Sequence, residues 1–131
     1  MTLKSESTFR SLRSILQKHA AGLSVEADTT TRFCLEAKIG PATLQAWGGK
    51  VKQPMIPVAW VEIGKSYVSY HLMGVYGNAA LSKGMSKKLK ARMQGKTCFN
   101  FTTDDEDLFK ELDLLTGRCL AGFAKAGFIS G

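Results

Sequence analysis

Apolar positions along the chain change spacing four times, passing twice from helical to alternating and back to helical. Phe9, Leu12, Ile15, Leu16 and His19 recur at three- and four-residue intervals, which predicts an N-terminal helix with Ser5 or Ser7 as its cap and Gly22 as its stop. Leu23 to Asp28 and Arg32 to Ile39 then alternate, placing Phe33, Leu35, Ala37 and Ile39 inward on a hairpin. The pattern dissolves between Gly40 and Pro54, which reads as a loop with one helical turn around Ala42 to Trp47. Ile56 to Met73 forms two strand-like runs around Gly64-Lys65, a pair suited to a type II′ turn. That turn sets Ile63 opposite Ser66, Val61 opposite Val68 and Ala59 opposite Tyr70. On the other face it sets Glu62 opposite Tyr67, Trp60 opposite Ser69 and Val58 opposite His71.

The second half repeats the helix-strand-helix logic. Asn78 can cap a short turn through Ala79 to Lys83, and Ser86 a helix that carries Met85, Leu89 and Met93 inward before Gly95. Thr97 to Thr103 alternates, with Phe99 and Phe101 on one face and Cys98 and Asn100 on the other. Thr103-Asp-Asp-Glu106 is a capping box for a helix whose buried stripe is Leu108, Leu112, Leu115, Cys119 and Phe123, with Gly127 as its stop. Gly117 and Gly122 allow close approach to a neighbour. The expected fold is α+β, in the order α-β-β-β-β-α-β-α: one domain over residues 1–131, with an antiparallel sheet of about five strands and terminal helices packed on it.

Composition narrows the class without naming a reaction. The chain of 131 residues is 44% hydrophobic and 22% charged, the balance of a globular domain. Its longest nearly uncharged apolar stretch, Met55 to Ile63, is far short of the roughly 20 residues that cross a bilayer. The N-terminal residues turn polar at once, and Cys34, Cys98 and Cys119 form no Cys-x-x-Cys pair, so a cytoplasmic protein without disulfides or membrane contact is expected. Six basic residues and no acid lie between Lys83 and Lys96, and six acids against Lys110 lie between Asp104 and Asp113. The predicted molecule is therefore dipolar. The basic run lacks interleaved aromatics on which bases could stack, which argues against nucleic acid.

Candidate chemistry gathers on the second face of the central hairpin. Trp60, Glu62, Tyr67, Ser69 and His71 combine an imidazole, a carboxylate, hydroxyls and flat apolar walls, and Met73, Tyr76 and Asn78 follow to close one end. The ligand-binding set is Trp60, Glu62, Tyr67, Ser69, His71 and Tyr76. No residue is assigned to catalysis or to a metal, and no cofactor is implied. Ser69 and His71 share a face but form no triad. Gly48-Gly49-Lys50 lacks the spacing of a phosphate loop, so it reads as a turn, with Trp47 packed on the domain edge or over a pocket. Cys34, outward in the register with Arg32, Glu36 and Lys38, is either an accessible thiol or an ordinary surface or partner-covered cysteine. Cys119 belongs to the core.

Three stretches carry a family resemblance: Lys65-Ser-Tyr-Val-Ser-Tyr-His-Leu-Met-Gly-Val-Tyr76, Leu89-Lys-Ala-Arg-Met-Gln-Gly-Lys-Thr-Cys-Phe-Asn-Phe101, and Leu108-Phe109 with Ala126-Gly-Phe-Ile129. They resemble the YdhG-like domain, a bacterial family of largely unknown function. Gly74 stands where proline is expected, and the first half of the chain matches by element order alone. The resemblance implies a compact α+β domain, and some relatives are described as frataxin-like iron chaperones. Iron delivery of that kind needs acidic oxygen ligands on an exposed ridge. Here the first helix carries Arg10, Arg13 and Lys18, which leaves Glu26, Asp28 and Glu36, or Asp104, Asp105 and Asp107, as oxygen patches without metal-specific spacing. The sequence thus points first to a non-catalytic module for a small ligand or protein partner, a second copy of the chain included. An iron chaperone is the alternative, and a small enzyme using Tyr67 and His71 the second alternative.

Overall fold

The computed structural model describes residues 3–41, 45, 55–73, 83–95 and 97–125. The elements are α1 (Leu3–Lys18), β1 (Ser24–Asp28), β2 (Arg32–Lys38), β3 (Met55–Ile63), β4 (Val68–Leu72), α2 (Lys87–Lys90), β5 (Met93–Gln94), β6 (Cys98–Phe101) and α3 (Glu106–Lys125). The fold is α+β. Its sheet has six antiparallel strands in the order β1-β2-β3-β4-β6-β5, one more than the sequence predicts because Met93 and Gln94 pair with Phe99 and Cys98. Met93 therefore ends in a strand, and the helix expected around it shortens to α2, whose N-cap Ser86 accepts from the Leu89 amide.

The described helices pack on one face of the sheet. Phe9, Leu12, Ile15 and Leu16 of α1 meet Leu108, Leu112, Leu115 and Cys119 of α3 over Phe33, Leu35, Val61, Tyr70, Phe99 and Phe101. Full burial stabilises each large side chain by about 1.5–3 kcal/mol. Phe101 and Phe109 meet edge to face at 5.1 Å. Two polar groups enter this core satisfied: the Tyr70 hydroxyl lies 2.7 Å from Thr116 Oγ1, which itself donates to the Leu112 carbonyl.

Several local expectations change once the chain is packed. Ser5 and Ser7 lie inside α1, which begins at Leu3, so neither is its N-cap. Gly22, at φ 80°, ends the turn after α1 in the left-handed region as expected. Asp105, not Thr103, caps α3, accepting from the Leu108 amide. Asp104 is drawn away to α1, where Ser7, Thr8 and Ser11 all donate to its carboxylate at 2.8–3.2 Å. Gly117 does allow the expected close approach: a Cβ there would stand 3.2 Å from His19 Cε1, and His19 Nε2 lies 2.6 Å from Asp113 Oδ1. The charge separation is also less complete than the sequence suggests, because Lys88 sits 3.5 Å from Asp105.

The central hairpin departs most. Gly64 does not take the positive φ of a type II′ turn; its amide donates to the Tyr67 carbonyl across a four-residue connection. The observed pairs are Ile63 with Val68, Glu62 with Ser69, Val61 with Tyr70, Trp60 with His71 and Ala59 with Leu72. The register is two residues from the predicted one. A shift of two preserves which face each side chain occupies. Val58 is the exception: Leu35 pairs with Ala59 and Glu36 with Pro57, so Val58 is the extra residue of a bulge and turns into the core instead of facing His71.

Candidate functional site

Antiparallel pairing lines up polar side chains in two rows across the face opposite the described helices. One row runs Cys34, Trp60, His71, Cys98 and Gln94 through β2, β3, β4, β6 and β5. The next runs Arg32, Glu62, Ser69 and Asn100. Between them, pointing the other way, lies the core row Phe33, Val61, Tyr70, Phe99 and Met93. The period of two that buries one row raises its neighbours on the opposite side.

Cross-strand contact sets the geometry. Trp60 and His71 stack with ring centroids 4.5 Å apart and planes 11° apart. His71 Nε2 lies 3.7 Å from Cys98 Sγ and 3.9 Å from Glu62 Oε1. Asn100 Oδ1 accepts from Ser69 Oγ at 3.1 Å and from Cys98 Sγ at 3.3 Å, while its amide group faces Gln94 Oε1 at 3.5 Å. Arg32 closes the other end, 2.8 Å from Glu26 Oε2 and 3.9 Å from Glu62 Oε2.

Electrostatics keep these groups in their resting forms. Burial pushes His71 below its ordinary pKa of 6.5, opposed by the Glu62 carboxylate and assisted by Arg32, so the ring is neutral at pH 7. Burial likewise raises the Cys98 thiol, with Ser69 opposing and Glu62 assisting. Cys34 faces outward in the register but is fully enclosed, and burial pushes its thiol up to about 11. It is not an accessible thiol. Three strand spacings of about 4.8 Å separate it from Cys98, roughly 14 Å, beyond disulfide reach. Outside this cluster, the Arg32 guanidinium holds Glu26 below the usual carboxylate range.

Among the described residues these groups form no catalytic relay. A histidine that hands a proton from nucleophile to carboxylate uses its two ring nitrogens separately. Here Cys98 and Glu62 both face Nε2, and the raised Cys98 remains a thiol. Ser69 gives its hydroxyl hydrogen to the Asn100 amide oxygen, which is not a base.

Of the predicted set, the structure brings together Trp60, Glu62, Ser69 and His71. Tyr67 lies in the turn rather than opposite Glu62, 42% exposed. Tyr76 falls outside the described residues, as do Trp47 and Asn78. Arg32, Cys98, Asn100 and Gln94 join the face without having been in the predicted set. The outward parity of Arg32 on β2 and of Cys98 and Asn100 on β6 was readable; the strand position of Gln94 and the placement of β6 beside β4 were not.

Among the described residues, no group of three or more His, Cys, Asp or Glu side chains is arranged to hold a metal ion. Four of the six acids proposed as oxygen patches are engaged elsewhere: Glu26 by Arg32, Asp28 by Arg13, Asp104 by three α1 hydroxyls and Asp105 by its cap. No described helix is long and apolar enough to cross a membrane. No family model, curated protein or solved structure matches the chain.

Proposed function

We propose that this chain is a non-catalytic binding module of the YdhG-like kind, and that its partner, a protein surface before a small ligand, rests on the polar face of the sheet. The observation that carries this reading is the Trp60–His71 stack set in a two-row field of hydrogen-bonding groups. Half-buried aromatics beside an arginine and amides are the groups that dominate binding energy at protein interfaces. Strand-borne side chains present a broad plane, which suits a partner's surface better than an engulfed metabolite. The resemblance to the YdhG-like domain rests on the motifs alone. The iron-chaperone alternative draws no support from acids already held in ion pairs and caps.

The test pairs sedimentation analysis for self-association with a thermal-shift screen of metabolites and divalent metals. Both are run on the parent protein, Trp60→Ala and His71→Ala. A partner at 100 times its dissociation constant stabilises the native state by about 2.7 kcal/mol. The expected outcome is an association or ligand shift that both substitutions abolish. A metal shift that survives them would favour the chaperone, and turnover of a screened compound lost in His71→Ala would make the protein an enzyme.

A further inference from the structure

A second site lies away from the polar face, where α1 crosses the β1–β2 turn. Glu6, Phe9, Arg10 and Arg13 fall three to four residues apart and so share one side of α1. Opposite them stand Asp28, Thr29 and Thr30, and the two walls enclose a groove of about 590 Å³, within the size range of small-ligand sites.

The walls differ in how firmly they are held. Arg13 is locked: its guanidinium lies over the Phe33 ring, 5.3 Å from Cζ to centroid, and Nη2 is ion-paired to Asp28. Its Nε is buried without a hydrogen-bond acceptor. Thr29 builds the turn, its hydroxyl accepting from the Thr31 and Arg32 amides. Arg10, one turn from Arg13, is exposed beside it in the groove wall.

We propose that this groove binds a small ligand through a single oxyanion, carboxylate or phosphate, held between Arg10 and Arg13. Two guanidiniums one turn apart in the same groove wall form a fork for such a group, with Arg10 exposed and Arg13 held in place by Phe33 and Asp28. Glu6 and Asp28 flank the arginines. They repel a chain of phosphates, which restricts the site to a compact ligand and excludes a nucleic-acid backbone.

The experiment follows the arginine Nε–Hε resonances of the labelled full chain. Inorganic phosphate and acetate are titrated in separate arms, against sodium chloride at equal ionic strength. Saturable shifts at Arg10 and Arg13 are expected, about tenfold weaker in affinity in Arg10→Gln and tighter in Glu6→Gln. The arm that saturates at lower concentration names the oxyanion. Shifts equal to those of chloride, shifts unchanged by Arg10→Gln, or shifts centred on Trp60 and His71 overturn the proposal. Arg10 is exposed, so its substitution leaves the fold intact.

Discussion

The two faces of the central strands are one residue apart in sequence and differ in almost every physical respect. On the helix side, Val61, Tyr70 and Phe99 are fully buried, and the one hydroxyl among them is hydrogen-bonded. On the polar side, Trp60, His71 and Cys98 are half-buried and held by a ring stack and contacts of 3.3–3.9 Å. The first face excludes water, and on the function proposed above the second trades water for a partner. Stability and recognition would then fall on opposite sides of the same backbone.

That contrast breaks first, and by the largest margin, if the core row is cut. Phe99→Ala should cost about 3–5 kcal/mol in denaturant unfolding, whereas His71→Ala, one strand over on the polar face, should cost roughly 1 kcal/mol, the scale of a lost ring stack. Equal costs would mean that the polar face is a second core. A smaller effect is expected from Tyr70→Phe. Thr116 donates its proton to Leu112, so the Tyr70 hydroxyl must be the donor to Thr116, and its loss should lower stability by about 1 kcal/mol while leaving polar-face binding unchanged.

The smallest effect is the most informative about the polar face. Burial lowers the pKa of His71 in the folded chain, so the folded protein resists a proton that the unfolded chain accepts. The contribution of His71 to stability is therefore whole above pH 6.5 and declines as pH falls from there through the folded value. NMR titration should place the ring below 6.5. Glu62→Gln should lower it further by removing the charge that favours the imidazolium, and His71→Gln should flatten the loss of stability between pH 7 and 5. A ring that titrates above 6.5 would mean that Glu62 outweighs burial.

Much of the fold was legible because its signals are local. The period-two runs of β2, β4 and β6 and the stripes of α1 and α3 identify core residues directly, as Phe33, Leu35, Tyr70, Phe99, Leu112 and Cys119 bear out. Half of the candidate site was legible for the same reason: parity placed Trp60, Glu62, Ser69 and His71 on one face, and parity survives a two-residue error in register. The turn chemistry that chose the register misled. Gly64-Lys65 suits a two-residue turn, but pairing Val61 with Tyr70 aligns both with Phe33 and Phe99 in a continuous buried row. The caps misled likewise, since Asp104 and Asp105 compete for roles that only the approach of α1 can divide.

What the sequence determined by itself is the class of the fold, the order of its elements and the identity of its inward faces, since these follow from side-chain periodicity and local backbone preference. What the tertiary structure alone decided is which outward faces meet. It set β6 against β4, which brings Cys98 to His71 and Asn100 to Ser69, inserted the bulge that turns Val58 inward, and laid α1 along the β1–β2 turn to form the arginine groove. Each of these is a contact between residues far apart in the chain, chosen by burying the most apolar surface at once, a quantity that no local window contains.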